Sequence, residues 1–293
     1  MFSRIVMAAV LAVLFAVGAG SGARAQQPNS SGLQVANPSG WTVDIAPYVW
    51  FANINATTNL SLPQAVGGGT VSTDTSVGFG QILSHLNFGV MGAADVQYGR
   101  FSAVTDFLYM NLGATPSRIR SVNFLGQAPV PVSAGTQVSA GLNLNATIWT
   151  LAGGYTVLQG GWGDVTAIAG VRYLRMPVSL NYSLAVAVRG PLGNGAVLGG
   201  VGSASGRADI WNGIGGLRGR IRLADTGLFV PYYFDAGAGG SQFTWQIASG
   251  LGYHLSWADL SVTYRYLSFQ QGGSSVVQHL AVKGPMLMAS FAF

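Results

Sequence analysis

Few residues in this chain could carry acid–base chemistry, and its three histidines come first among them. His254 and Ser256 form an H-x-S string, in which a His could deprotonate a Ser hydroxyl for hydrolysis. Such a pair also needs an acid that orients the His. The chain has no Glu, so Asp259 is the nearest candidate, and it reaches His254 only if the turn between them folds back. The alternative is three histidines at a surface or rim.

Arginines at alternate positions form a second group with functional chemistry. Arg218, Arg220 and Arg222 fall on one face of a period-two segment, and a row of guanidinium groups lining a pore would select anions. The same groups could instead pair with Asp and fill an interior, because buried charges need partners and Arg binds carboxylates through two bonds. Both interpretations stay open at this point.

The sequence carries no pattern typical of cofactor or nucleic-acid sites. It has no Cys, no metal-ligand spacing and no nucleotide-binding loop, and its net charge of +5 includes no basic cluster interleaved with aromatics. We therefore expect no cofactor, no metal and no nucleic-acid partner.

Composition points to a membrane protein. Only 8% of residues are charged, 49% are hydrophobic and the mean hydropathy is +0.39, whereas soluble domains have about 25% charged residues. Residues 5–18 alone approach the length of a membrane helix, which needs roughly 18 apolar residues. A bilayer admits only helices and closed barrels, because every backbone amide must be paired internally. A β-barrel is the remaining expectation.

The N-terminus is typical of a secretory signal peptide. Arg4 precedes the apolar run 5–18, and an Ala-Arg-Ala string at 23–25 is a cleavage site. We predict a signal peptide over 1–25, a flexible periplasmic lead-in over 26–40, and the barrel over 41–293.

Period-two alternation continues from Trp41 to the last residue. Ten such segments follow one another, at 41–54, 84–98, 101–112, 138–158, 163–183, 207–223, 227–238, 240–257, 258–270 and 283–293. Short turns near 99–100, 159–162, 224–226 and 257–258 alternate with connections near 55–83, 113–137, 184–206 and 271–282, and only the link at Gly239 breaks this pattern by being short. Outer-membrane barrels combine short inner turns, long outer loops and an even strand number. We predict an all-β, up-and-down antiparallel transmembrane barrel of ten strands with both termini at the inner end; eight strands would remain without 227–238 and 240–257.

Aromatic residues are expected to form two girdles at the membrane interfaces. The predicted inner members are Trp41, Tyr98, Phe101, Trp162, Trp257 and Phe293, and the outer ones are Trp50, Phe51, Tyr109, Tyr182, Tyr266 and Phe269. The alternation slips near Ile148 and Trp149 and again after Arg175, which indicates β-bulges or misplaced strands there.

Charged residues opposite the apolar faces are predicted to point into the barrel, because an Arg on the lipid face costs about 2–4 kcal/mol near the midplane. We name this set the lumen charge network: Arg172, Arg218, Arg220, Arg222, Arg265, Asp44, Asp95, Asp106 and Asp235. A ten-stranded barrel is close to the size that side chains fill, which favours a filled lumen over a pore.

The last strand resembles the closing strand of Gram-negative outer-membrane barrels. Alternate apolar residues, including Leu287 and Phe291, lead to the terminal aromatic Phe293. The resemblance implies that the barrel-assembly machinery recognises this strand, and that periplasmic chaperones and outer-membrane lipids, including lipopolysaccharide, are partners. Arg118, Arg120 and Arg189 in the outer connections are candidates for lipopolysaccharide phosphates, with solvated loop charges as the favoured alternative.

Two families of outer-membrane enzymes have site residues that can be compared with those of this chain. The string at 254–256 resembles that of outer-membrane lipid A deacylases, which add a Glu that this chain lacks. Omptin proteases, also ten-stranded, need paired acids and an Asp–His pair at the outer rim, where this chain offers Asp74 and His85, while His279 has no acid nearby. The sequence therefore predicts a non-enzymatic outer-membrane barrel with a structural or surface role, with a narrow channel for small solutes or anions as the alternative and a hydrolase as the third.

Overall fold

The computed structural model of the chain describes residues 40–61, 70–116, 118–123, 130–131, 137–189, 195–224, 226–240, 242–272 and 275–293. The predicted signal peptide and almost all of the lead-in lie outside these residues. In the part of the chain that is described, no helix is long and apolar enough to cross a membrane.

Strands make up most of the described chain. They are β1 (Trp41–Trp50), β2 (Asn53–Ser61), β3 (Thr70–Val77), β4 (Leu86–Tyr98), β5 (Phe101–Pro116), β6 (Arg118–Asn123), β7 (Val130–Pro131), β8 (Gln137–Gly160), β9 (Gly163–Arg189), β10 (Gly195–Arg222), β11 (Leu228–Gly239), β12 (Gln242–His254), β13 (Asp259–Gln271) and β14 (Val277–Ala292). A short helix, α1 (Phe79–His85), lies between β3 and β4.

Ten strands close into an antiparallel up-and-down barrel. The order is β1, β4, β5, β8, β9, β10, β11, β12, β13 and β14, and β14 pairs back onto β1. At the seam the backbone amides and carbonyls of Val43 and Phe293 exchange two hydrogen bonds of 3.2 and 2.9 Å. The ten-strand prediction is confirmed, since β11 and β12 are both paired on both sides.

The first predicted segment divides at Phe51 and Ala52, because its two halves take different neighbours. Both β1 and β2 pair with β14, but the second neighbour of β1 is β4 whereas that of β2 is β3. β3 pairs with β6, and β6 pairs with β7. A small side sheet therefore rises from the barrel wall at the end opposite to the termini, which we call the outer end.

The turns at the inner end are short, as predicted, and Gly99 supplies the left-handed backbone (φ 58°) in one of them. The prediction that the long outer connections are loops is largely wrong. Residues 55–61 and 70–77 are strands, β9 continues to Arg189, β10 begins at Gly195, and β14 begins at Val277. These strands were missed because above the membrane they lack the apolar outer face by which the others were found.

The outer wall of the inner half is apolar, as a lipid-facing surface must be. Its exposed residues include Ile45, Val90, Leu151, Val171, Leu217, Ile221, Leu251, Val262 and Leu287. The predicted inner girdle is exposed at the inner end, with Trp41 packed on Tyr98 at 4.8 Å between ring centroids. Two predicted outer-girdle members are corrected: Trp50 and Phe269 point inward and are buried, because they share the inward parity of Tyr48 and Leu267.

Polarity is reversed at the outer end of the barrel. Along β2, Ile54, Ala56 and Leu60 are buried inside, while the intervening outward positions are all Asn, Thr or Ser. On the outer face of the β2–β3 pair the side chains form a polar ladder, in which Ser76 donates to Asn55 at 2.8 Å and Thr57 donates to Asp74 at 2.8 Å. This is the alternation of a sheet whose outer face is in water.

The same reversal explains the apparent slips in β8 and β9, where the predicted bulges are wrong. The register is unbroken through Thr147–Arg175, Ile148–Leu174 and Trp149–Tyr173, and the one irregularity of this pair lies near the inner end, between Thr156 and Leu158. Side chains keep their parity, but above Tyr173 the outward Arg175 and Ser179 are polar, whereas the inward Leu174, Met176 and Val178 are apolar.

Candidate functional site

The lumen is filled by side chains of opposite chemistry in its two halves. The outer half is closed by what we call the apolar layer: Leu108, Ile148, Leu174, Ile210, Leu267, Phe269 and Leu280, all essentially inaccessible to solvent. The space left beside Leu108, Ile148 and Met176 is about 20 Å³, room for about one water. The expected filling by Arg and Asp alone is therefore corrected, since charge fills only the inner half.

Arg172 on β9 and Asp235 on β11 form the most buried ion pair of the lumen. Both side chains are 0% exposed, and Nη1 and Nη2 of Arg172 donate to Oδ1 and Oδ2 of Asp235 at 2.8 and 2.5 Å. Its Nε donates to Thr150 at 3.2 Å, and the remaining Nη protons reach Thr244 and Gln246 at 3.3 Å each. All five donors of the guanidinium group are thus used, which a fully buried Arg requires.

Arg265 on β13 forms a second pair on the opposite wall. Its Nη1 donates to Oδ2 of Asp106 at 2.9 Å and to the Tyr48 hydroxyl at 3.3 Å, and that hydroxyl donates to Oδ1 of Asp106 at 3.0 Å. The guanidinium carbon also lies 4.8 Å from the ring centroid of Trp50, a distance at which a cation is attracted to an indole face. Trp50 donates its own Nε1 proton to the carbonyl of Gly284 at 3.1 Å.

Gln246 on β12 joins the two ion pairs. Its Oε1 accepts a proton from Arg172 at 3.3 Å and one from Arg265 at 2.9 Å. Since an amide oxygen has two lone pairs, one neutral side chain bridges two cations without adding charge. A continuous hydrogen-bonded plate therefore crosses the lumen beneath the apolar layer.

The inner mouth holds the half-exposed part of the network. Arg218 donates to Asp95 at 2.6 Å and to Ser102 at 3.0 Å, and Arg220 donates to Asp259 at 2.6 Å. The ring of Phe229 lies 5.1 Å from the guanidinium carbon of Arg220. These pairs link walls that are distant in sequence, as the 123 residues between Asp95 and Arg218 show.

Asp44, Arg222 and Asp164 complete the mouth. Asp44 faces inward with Ala46 and Tyr48, within electrostatic range of Arg218 and Arg220. Asp164 on β9 lies in the field of the same arginines and of Arg222. Asp164 and Asp259 thus join the four predicted acids, so among the described residues six carboxylates face five arginines, without an excess of positive charge.

The H-x-S string brings together two of its three candidate groups. The turn does fold back: His254 and Asp259 are cross-strand partners, with Nδ1 and Oδ1 2.5 Å apart. His254 is 63% exposed at the inner mouth, and the second oxygen of Asp259 binds Arg220. No hydrogen bond joins Ser256 to His254 or Asp259 in the described structure, so the geometry supplies an oriented His without an engaged nucleophile.

The candidate groups at the outer end stay apart. His85 is bonded to the carbonyl of Gln81 and to Ser84 within its own helix. Asp74 accepts from Thr57 and stands opposite Arg118 in the β3–β6 register. His279 lies on β14 opposite Gln270 and Thr57. Among the described residues, no group of three His, Asp or Glu could hold a metal ion.

The residues proposed to guide assembly lie on the outer wall of β14. Leu287 and Phe293 are exposed to the lipid side, and Phe291 packs against Trp257 at 6.0 Å between ring centroids. Their side chains make no contribution to the lumen. The side chains of Arg118, Arg120 and Arg189 lie outside what the structure describes.

Sequence reasoning missed the neutral members of the site. Gln246, Tyr48, Thr150 and Thr244 share inward parity with the charged residues, which is the signal that would have found them. The apolar layer was missed because inward apolar residues were not expected in a membrane barrel.

Comparison with known proteins supports the fold. No protein-family model and no curated protein match the chain. The outer membrane protease OmpT from Escherichia coli is similar over 88% of this chain and 98% of that chain, with a TM-score of 0.53 at 12% identity. The translocator domain of autotransporter NalP from Neisseria meningitidis matches at 17% identity over 88% of this chain and 90% of that one, with a TM-score of 0.34. At these identities the likeness to OmpT shows the architecture alone: the chain has the fold of a ten-stranded outer-membrane barrel.

Proposed function

We propose that this chain is an integral outer-membrane protein with a non-conducting lumen and a structural or surface role. The observation that carries the proposal is that two layers of side chains block the lumen one above the other. The apolar layer lies directly on the outer-end side of the hydrogen-bonded plate, which consists of Arg172, Asp235, Gln246, Arg265 and Asp106. An ion crossing the barrel would have to leave water for an apolar layer, at a cost of several kcal/mol or more.

The charge balance supports closure over anion selection. A selective pore needs an excess of one sign along its wall, whereas each of Arg172, Arg218, Arg220 and Arg265 is bonded to a carboxylate. Paired charges of this kind hold strands together, and their opposite signs leave little net electrostatic potential to attract a permeating ion.

The proposal includes location and assembly. The apolar outer wall and the aromatic inner girdle suit insertion into a bilayer, and we assign the membrane to the outer membrane by architecture. The chain then reaches it after signal-peptide cleavage, with periplasmic chaperones as partners and with Leu287, Phe291 and Phe293 as the strand that the assembly machinery recognises. The absence of catalysis is part of the same proposal.

Conductance in a planar bilayer tests the proposal. The refolded protein, shown to be folded by its shift on a gel after boiling, should be silent while a porin conducts in the same bilayers. Discrete steps whose ion selectivity changes in Arg220→Ala would establish a channel and contradict the proposal. Hydrolysis of an ester or peptide by the wild type that is lost in His254→Ala would contradict its non-enzymatic part.

A further inference from the structure

A short row of aromatic residues marks where β8, β9 and β10 leave the apolar surroundings. Trp149, Tyr173 and Trp211 are cross-strand neighbours on the outer wall, and the rings of Tyr173 and Trp211 stack at 4.5 Å. Directly below this boundary row lie Leu151 and Val171, and the outer wall stays apolar from there to the inner end. Trp211 and Ile221 are about 25 Å apart along the barrel axis, given ~3.3 Å per residue and a strand tilt of about 40°. This height matches that of the apolar band of such barrels.

Two arginines lie on the outer wall above the boundary row, Arg175 in the first outward row and Arg207 in the second. Arg175 and Arg207 are 52% and 59% exposed, and Asp209 between them is 38% exposed. Asp209 accepts from the Tyr173 hydroxyl at 2.8 Å, forms an ion pair with Nε of Arg207 at 2.6 Å, and lies 3.9 Å from Nε of Arg175. Within the described residues, the Nη groups of both arginines have no protein acceptor, so four NH₂ groups are open to a ligand. The two arginines and Asp209 together carry a net charge of +1.

An open groove of about 480 Å³ runs alongside Arg207. Its outward-facing walls are Asn145, Pro177, Ser179, Ser205 and Arg207, from three adjacent strands. The side chains in it are small or polar, so the groove is open to a hydrated headgroup and offers no apolar pocket to an acyl chain. The apolar wall for acyl chains begins two outward rows below, at Trp149 and Tyr173.

We propose that Arg175 and Arg207 form a binding site for the phosphorylated headgroup of an outer-leaflet glycolipid, lipopolysaccharide. Guanidinium groups bind phosphate through paired, charge-assisted hydrogen bonds. The site lies above the aromatic row and outside the barrel, which is the depth of headgroup phosphates in the outer leaflet. Asp209 orients Arg207 through Nε and leaves both of its Nη groups to the ligand. The inference rests on the proposed outer-membrane location.

Calorimetric titration with lipid A carrying its phosphates tests the site, with the folded protein in neutral detergent. Arg175→Gln combined with Arg207→Gln should weaken binding at least tenfold, and lipid A stripped of phosphate should bind the wild type equally weakly. Arg100→Gln, the same change in an inner-end turn, is the matched control and should bind as the wild type does. Equal affinity of the double variant, or of the phosphate-free lipid, would overturn the proposal.

Two further measurements keep the outcome decisive. Asp209→Asn keeps an oxygen acceptor beside Nε of Arg207 but removes the negative charge that repels phosphate. It should tighten binding several-fold, so it tests the site even if the double variant does not fold. Inorganic phosphate at millimolar concentration should not displace the lipid; displacement would show a general anion site and overturn the lipid assignment. Protein that does not insert into lipid vesicles would contradict the outer-membrane location, whereas inserted protein without phosphate-dependent binding contradicts this inference alone.

Discussion

The guanidinium group of Arg172 and the carboxylate of Asp235 meet through two parallel hydrogen bonds inside the barrel, with neither side chain exposed to solvent. They belong to strands β9 and β11, which are not hydrogen-bonded neighbours, so the pair spans β10 across the curve of the wall. The pair therefore adds a direct side-chain link between two strands that share no backbone hydrogen bonds.

Asp235→Asn should lower the free energy of unfolding by about 3–5 kcal/mol, because it leaves the Arg172 charge buried without its counter-charge. Urea unfolding in detergent micelles, followed by tryptophan fluorescence, measures the change. Asp209→Asn is the matched control on the outer wall and should change stability by less than about 1 kcal/mol, as exposed ion pairs do. If the two variants lost the same amount, the buried pair would have no special part in stability.

Gln246→Leu should cost about 2–4 kcal/mol, since two hydrogen bonds to cations are lost together. The bridge also predicts coupling between the two ion pairs. In a double-mutant cycle, the destabilisation by Asp235→Asn and by Asp106→Asn should be non-additive with Gln246 present and closer to additive with Leu at this position. Additivity in both backgrounds would show that the pairs act independently.

Leu174→Ala should destabilise the fold by about 3–5 kcal/mol, because a fully buried side chain leaves a cavity in the apolar layer. Leu151→Ala is the matched change on the lipid face of the neighbouring strand β8, where acyl chains fill the vacated space. It should cost only the transfer term, about 1.5–2 kcal/mol. Equal losses in equilibrium unfolding would mean that the outer half of the lumen is loosely packed.

Phe293→Ala should separate assembly from stability. The side chain is exposed, and the backbone bonds of residue 293 to Val43 remain in the variant. Unfolding in micelles should therefore change by less than about 1 kcal/mol, while the amount of heat-shifted protein in the outer-membrane fraction of cells should fall several-fold. A parallel loss in both measurements would assign Phe293 a structural role instead.

The number of strands and the direction of inward side chains follow from local pattern. Period-two alternation assigns a face to every residue of a strand, so the inward positions of Arg172, Arg218 and Arg265 could be inferred one strand at a time. Their partners could not, because Asp235, Asp95 and Asp106 lie 63, 123 and 159 residues away. Which carboxylate meets which arginine depends on the shear of the closed barrel, which no single strand contains.

The outer half was mispredicted for a different physical reason. The rule that apolar residues face outward holds only where lipid is the solvent, and β2, with Asn55 and Thr57 outside and Ile54 and Ala56 inside, obeys the opposite rule. Arg175 therefore looked like a break in phase when it marks a change of solvent. Asp259 was underestimated because the turn was predicted at 257–258, whereas it lies at 255–258 and makes His254 and Asp259 cross-strand partners.

The reversal of polarity at Tyr173 and Arg175 means that one continuous strand is under two regimes of mutational tolerance. On the lipid-facing side of Tyr173, an outward Ser or Asn is destabilising and an outward Leu is neutral. Two residues further on, in the half that faces water, an outward Leu favours aggregation and an outward Ser is neutral. In homologous chains, outward positions should therefore exchange mainly polar residues above the row of Trp149, Tyr173 and Trp211 and mainly apolar residues below it. That row should mark the change from one set of substitutions to the other.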